Sequence, residues 1–188
     1  MQNILVAGRL TLDQSQAILK AVQQLPAVRL TVYTTDVSVW PVAGNVIAGE
    51  LTDTAGLTAA MLAQDLVLVQ LDSSALVAQT QSITAAMATT QTMQLVVSMT
   101  DSVLSLAQTT VKWYQQRRQR QQLAAIRTVE HLLRRSQLNF TLIQGTTAAD
   151  TTLYNQMLSQ TWTTAVPARR SLAVTDYLTA DLALPFSA

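Results

Sequence analysis

The sequence predicts an α/β fold, doubly wound around a mostly parallel sheet, with helices on both faces. Three observations predict it. Apolar runs of strand length recur six times along the 188 residues. Segments whose apolar residues carry helical spacing separate those runs. Strand and helix then alternate throughout, which builds βαβ units, and right-handed crossovers give parallel pairing with helices against both faces.

The first run, ILVA (4–7), passes through Gly8 into a helix. Ala17, Ile18, Val22 and Leu25 share a face of that helix, and Pro26 ends it. LTVYT (30–34) and NVIAG (45–49) follow as the second and third strands. A second helix sets Leu57, Ala60, Met61 and Ala63 on one side, and LVLVQL (66–71) is the fourth strand. An Ala- and Thr-rich helix spans about 75–90, LVVSM (95–99) is the fifth strand, and a longer helix runs from about Thr110 to Ser136. FTLI (140–143) is the sixth strand. The last 38 residues are less regular: Trp162 to Val166 read as a short strand, Pro167 with Arg169-Arg170 as a turn, and Thr175–Leu182 as a final helix. Thr175 or Asp176 is the cap expected there. No composition break, repeat or linker divides the chain, so residues 1–188 read as a single domain, with about 150–188 as its substrate-side part.

Composition narrows the function classes. Hydrophobic residues make up 49% of the chain and charged residues 12%, about half the ~25% usual for soluble domains. Gln and Thr carry much of the polar surface, and so weakly charged a surface favours self-association. Cysteine is absent, which excludes disulfides, thiolate metal sites and a cysteine nucleophile. Met1-Gln2-Asn3 and the five apolar residues after it lack the basic region and long apolar core of a signal peptide, and no run of 18 apolar residues occurs. A cytoplasmic protein without a membrane span is expected.

The net charge of +1 hides an uneven distribution: seven basic residues lie between Lys112 and Arg135 against the single acid Glu130, leaving five basic and ten acidic residues elsewhere. Within it, KWYQQRRQRQQ (112–122) interleaves positive charge with Trp113 and Tyr114, a pattern able to meet phosphates and stack on bases. The modest pI of about 8.1 and the lack of a recognition-helix module weigh against nucleic acid. The basic helix 112–135 instead reads as a solvated face, or as a contact for an acidic protein partner or a second copy in a homo-oligomer.

The turn after the first strand has its own chemistry. Thr11-Leu12-Asp13-Gln14 matches a capping box, in which Thr11 accepts from the Gln14 N–H and the Gln14 side chain reaches back to Thr11. Such a helix satisfies its own first N–H groups, and Asp13 adds a negative charge that favours the helix dipole and repels phosphate. Arg9 acts in the opposite sense, as a cation able to pair with a phosphate. His131, the single histidine, has too few companions for a metal site, so no metal is expected. Neither a GxSxG elbow nor a P-loop occurs.

Six segments, in order, carry a resemblance. They are ILVAG at the first strand, VIAGELTD (46–53), AQDLVLV (63–69), QLVVSM (94–99), RTVEHLLRRSQLNFTLIQG (127–145) and LAVTDYLTADLA (172–183). Together they are similar to the atypical short-chain dehydrogenase/reductase group that includes NmrA-like proteins and NAD(P)H-dependent flavin or biliverdin reductase-like enzymes. The resemblance implies a Rossmann-like domain that binds NADP or NAD. It also implies hydride transfer to a small-molecule acceptor such as a flavin or quinone. Gly8, Arg9, Leu10 and Thr11 would then lie beside the pyrophosphate, Glu50 and Leu51 around the adenine, and Ser98 near the nicotinamide. Glu50 has a second reading, as a cap of the helix that begins near Thr52 or Asp53. Tyr114, with Arg118 four residues on, is the other catalytic candidate, although an Arg does not exchange a proton near neutral pH.

The departures fall around the ligand. The second and third glycines of the group's first turn are Thr11 and Gln14 here; the basic residue of NADP-preferring members falls near Thr34; the small position after strand four is Asp72; and its RPG after strand six is Gln144-Gly145. The alternative function is therefore a non-catalytic binding or regulatory protein with a degenerate dinucleotide site.

Overall fold

The computed structural model describes residues 2–24, 27–40, 45–92, 94–100, 113–146 and 170–171. Seven strands, β1 (Gln2–Gly8), β2 (Val28–Thr34), β3 (Asn45–Ala48), β4 (Leu66–Leu71), β5 (Gln94–Thr100), β6 (Asn139–Thr146) and β7 (Arg170–Ser171), form one sheet in the order β3-β2-β1-β4-β5-β6-β7. Every pair is parallel. The chain winds outward from β1 in one direction to β3, then returns to β4 on the other side of β1. That reversal makes the β1–β4 junction the topological switch point.

Helices α1 and α2 start at side-chain caps, and each of the four helices buries apolar residues against the sheet. Helix α1 (Leu12–Gln23) starts at the Thr11 capping box and buries Gln14, Ala17, Ile18 and Ala21, one face at helical spacing. Helix α2 (Thr54–Met61) starts at Asp53, whose carboxylate accepts from the Ala55 and Gly56 N–H groups, both at 3.1 Å. Helix α3 (Leu76–Thr90) buries Leu76, Ile83, Ala86 and Met87. Helix α4 (Trp113–Arg135) buries Val129 and Leu133.

Two apolar layers sandwich the sheet. Alternate strand residues Ile4, Val6, Leu30, Val32, Leu66, Leu68 and Val96 meet α1 and a short 3-10 turn (Val37–Val39) with its following Trp40. The intervening Leu5, Ala7, Val67, Val69, Leu71, Leu95, Val97, Phe140 and Leu142 meet α2, α3 and α4. Strands covered on both faces read as continuous apolar runs, which makes the central strands such as β1 and β4 legible, whereas the edge strand β3 is only partly buried. At the amino end, Asp65 pins β1 to β4. Its N–H donates to the Asn3 carbonyl at 2.9 Å, and its carboxylate accepts from the Asn3 N–H at 2.7 Å.

Two local expectations are corrected. Ala63 does not share the α2 stripe: the helix ends at Met61, and Ala63 is exposed with φ 59°, because the chain must turn there to enter β4. Arg170 is not in a turn but in β7, opposite Thr141. A two-residue strand has no periodicity, so only the unpaired side of β6 could have announced it. The expected end at Leu25 and Pro26, the strand 162–166, the Pro167 turn residue and the helix 175–182 lie outside the described residues.

Candidate dinucleotide site

On the α1 face, four neighbouring strands change character together at their carboxyl ends. Two aliphatic residues in β1, Ile4 and Val6, lead to Gly8; Leu30 and Val32 in β2 lead to Thr34; Leu66 and Leu68 in β4 lead to Gln70; and Val96 in β5 leads to Ser98. Register places Gly8 opposite Gln70 and Gln70 opposite Ser98. Thr34, Gln70 and Ser98 are all buried, at 1%, 4% and 6% exposure. A row of small and polar residues thus closes an aliphatic layer at the switch point, where open α/β sheets receive ligands. Thr34 accepts from the Asp36 N–H at 3.2 Å.

The turn above this row satisfies itself. Gln14 Oε1 accepts from the Thr11 N–H at 2.9 Å, and Thr11 Oγ1 accepts from the Gln14 N–H at 3.3 Å. Both halves of the capping box are present. Gln14 is 2% exposed, so its side chain fills the space beside the helix that a glycine would leave open. Asp13 is exposed in the first turn, as is Arg9 before it, while Leu10 is buried against the α1 layer.

Gly8 has φ +120°, and a Cβ there would collide with the Gln70 carbonyl oxygen of β4. The fold therefore demands this glycine through backbone conformation and strand approach alone.

Glu50 and Leu51 follow β3, Glu50 exposed and Leu51 buried in the α2 layer. Glu50 does not cap the helix; Asp53 does. The Glu50 carboxylate lies 3.4 Å from the Thr52 hydroxyl, and its carbonyl accepts from the Asp53 N–H. Beneath them sits Tyr33, 1% exposed, its ring so close to Gly49 that a Cβ there would strike it. The Tyr33 hydroxyl is shut from solvent without a well-formed hydrogen bond. Burial raises its pKa above the usual value near 10, and the neighbouring Asp53 carboxylate raises it further.

Asp72 closes a local turn: its carboxylate accepts from the Ser74 N–H and its own N–H donates to Gln79 Oε1, both at 2.9 Å. Tyr114 is in the first turn of α4, and its side chain lies outside the described residues. Along α4, Arg120, Arg127, Arg134 and Arg135 are exposed on the side away from Val129 and Leu133, and Arg134 pairs with Glu130 at 2.5 Å. His131 is exposed. Among the described residues no group of acids and histidine is placed to hold a metal, and no helix is long and apolar enough to cross a membrane.

Sequence reasoning missed Gln70 and Tyr33. The signal for Gln70 was one polar residue at the end of an otherwise apolar run, LVLVQL, meaningful only once the register sets it between Gly8 and Ser98.

A family model described as NAD(P)H-binding matches residues 14–173, beginning in the first turn of α1. Among solved structures, the chain is similar to a Rossmann-fold NAD(P)-binding family protein from Shigella flexneri, with TM-score 0.65 and 15% identity over 86% of this chain and 88% of that one. It is also similar to a short-chain dehydrogenase/reductase from Veillonella parvula in complex with NADP, with TM-score 0.60 and 15% identity over 76% of this chain and 68% of that one. An NADPH-dependent quinone oxidoreductase from Escherichia coli, complexed with NADPH, aligns with TM-score 0.52 and 13% identity over 74% of this chain and 48% of that one. No curated protein sequence matches.

Proposed function

This chain belongs to the NAD(P)H-binding family of Rossmann-fold proteins, and from that premise we propose that it binds NADH or NADPH across the carboxyl end of β1, β4 and β5 and reduces a small oxidised acceptor, a flavin or quinone. The observation that carries this reading is the switch from aliphatic to small and polar residues at Gly8, Thr34, Gln70 and Ser98, aligned at the topological switch point. A sheet that needed only a core would continue with aliphatic residues to its end.

In this reading Gly8, Arg9, Leu10 and Thr11 border the pyrophosphate, with the exposed Arg9 guanidinium supplying the positive charge. Glu50 accepts from the adenine amino group, and Leu51 packs beneath the ring. Ser98 stands at the nicotinamide end and orients the carbonyl of the acceptor. Bound nicotinamide supplies the hydride, and solvent supplies the proton that completes reduction of the acceptor. Tyr114 has no proton-transfer role in this reading, because Arg118, where a lysine would be needed, cannot exchange a proton near neutral pH.

One observation favours a second reading, a non-catalytic binding or regulatory protein: the capping box already occupies N–H groups that would otherwise bind phosphate. Thermal-shift titration with NADH and NADPH tests the proposal, since a ligand of the native state raises stability by mass action. Stabilisation is expected at millimolar cofactor, together with flavin- or quinone-dependent loss of the reduced-nicotinamide absorbance. No shift with either cofactor would overturn dinucleotide binding. A shift without turnover on any such acceptor would leave the binding protein.

A further inference from the structure

We propose that the Gln70 carboxamide recognises a ribose, hydrogen bonding the vicinal hydroxyls of the sugar that joins the nicotinamide to the pyrophosphate. The inference rests on the reading of the carboxyl end of the sheet as the dinucleotide site. Gln70 is 4% exposed, and neither its Nε2 nor its Oε1 has a hydrogen-bond partner. Buried amides without partners are costly and uncommon in native proteins. The core does not require one here, because Leu66 and Leu68 fill the same face of the same strand with aliphatic side chains. A local rule broken at a switch point is the pattern expected of a functional position.

The position selects the ligand group. Gln70 lies between Gly8 on β1 and Ser98 on β5 in direct register. Its Cβ is 3.3 Å from where a Gly8 Cβ would stand, so the side chain begins directly beside the turn. With pyrophosphate at that turn and nicotinamide at Ser98, the intervening piece is the sugar. A carboxamide carries one acceptor oxygen and two donor hydrogens in one plane, and two adjacent hydroxyls can accept from the NH2 and donate to the C=O together. The oxygens of two other buried carboxamides are already taken: Gln14 Oε1 by the Thr11 N–H, and Gln79 Oε1 by the Asp72 N–H. Both Gln70 polar atoms are closed from solvent, so the surrounding side chains must part as the sugar enters.

Calorimetric titration of the wild type and Gln70→Met with NADH, reduced nicotinamide mononucleotide and AMP tests this. The variant keeps the side-chain length and removes both polar atoms. Its ligand-free form is expected to melt at or above the wild-type temperature, its affinity for NADH and for the mononucleotide to fall about tenfold, the loss of a hydrogen-bonded pair, and its affinity for AMP to stay unchanged. If Gln70→Met does not fold, Gln70→Leu, matching Leu66 and Leu68, replaces it. Wild-type NADH affinity in the variant would overturn the role of Gln70 and leave the dinucleotide site standing. Equal losses for AMP, or a melting temperature several degrees below wild type, would also overturn it, the latter by showing the amide already satisfied inside the chain. A wild type that binds no dinucleotide would overturn both.

Discussion

A single residue shows how a feature that suggests a ligand can be owed to the fold. Gly8 is the one glycine left in the first turn, yet its φ of +120° and its approach to the β4 backbone already require it. Gly8→Ala is therefore expected to lower stability by about 3 kcal/mol, from a backbone region nearly closed to residues with a Cβ, and the melting temperature by roughly 10 °C. Calorimetric melting without ligand measures this, and an unchanged melting temperature would return Gly8 to a purely ligand-facing role. Tyr33 gives a pH signature. Its buried hydroxyl holds its proton more tightly in the folded chain than in the unfolded one. Between the unfolded pKa near 10 and the higher folded value the unfolded chain binds fewer protons, so this contribution is complete below pH ~10 and is lost as pH rises through the folded pKa. Tyr33→Phe should remove that alkaline loss and change stability at neutral pH by no more than about 1 kcal/mol. Denaturant melts at neutral and alkaline pH separate the two effects.

Elements were legible in proportion to how local their causes are. The capping box at Thr11 and Gln14 is written in four consecutive residues, and both of its hydrogen bonds form. The central strands were legible because helices on both faces make their apolar runs continuous, while β7, two residues long, had nothing periodic to show. The start of α2 was placed within two residues, but the cap expected there was Glu50, and the backbone instead puts the Asp53 carboxylate under the Ala55 and Gly56 N–H groups. Asp53→Ala should then cost about 1 kcal/mol, a fall of roughly 2–4 °C in melting temperature, whereas Glu50→Ala should leave stability nearly unchanged. Equal losses in the two variants would contradict the cap assignment.

At the scale of the molecule, the site is a property of strand order. Gly8, Gln70 and Ser98 are far apart in sequence and become neighbours only because β4 returns beside β1 and β5 beside β4. A lone Gln inside LVLVQL carries no period of its own, so this part of the candidate site was invisible before the register was known, while the first turn and the Glu50-Leu51 pair were candidates through resemblance. The same architecture sets two opposing demands at the switch point: a polar row suited to a dinucleotide, and a helix start that satisfies its own N–H groups with Thr11 and Gln14. If the turn is what limits phosphate approach, opening it must improve binding even as it weakens the helix. Gln14→Gly removes one half of the capping box and the buried side chain beside it, at a stability cost of about 1–2 kcal/mol. The decisive measurement is a calorimetric titration of the wild type and Gln14→Gly with NADH and NADPH. Tighter dinucleotide binding by the variant is the expected result; unchanged or weaker binding by a folded Gln14→Gly would contradict it.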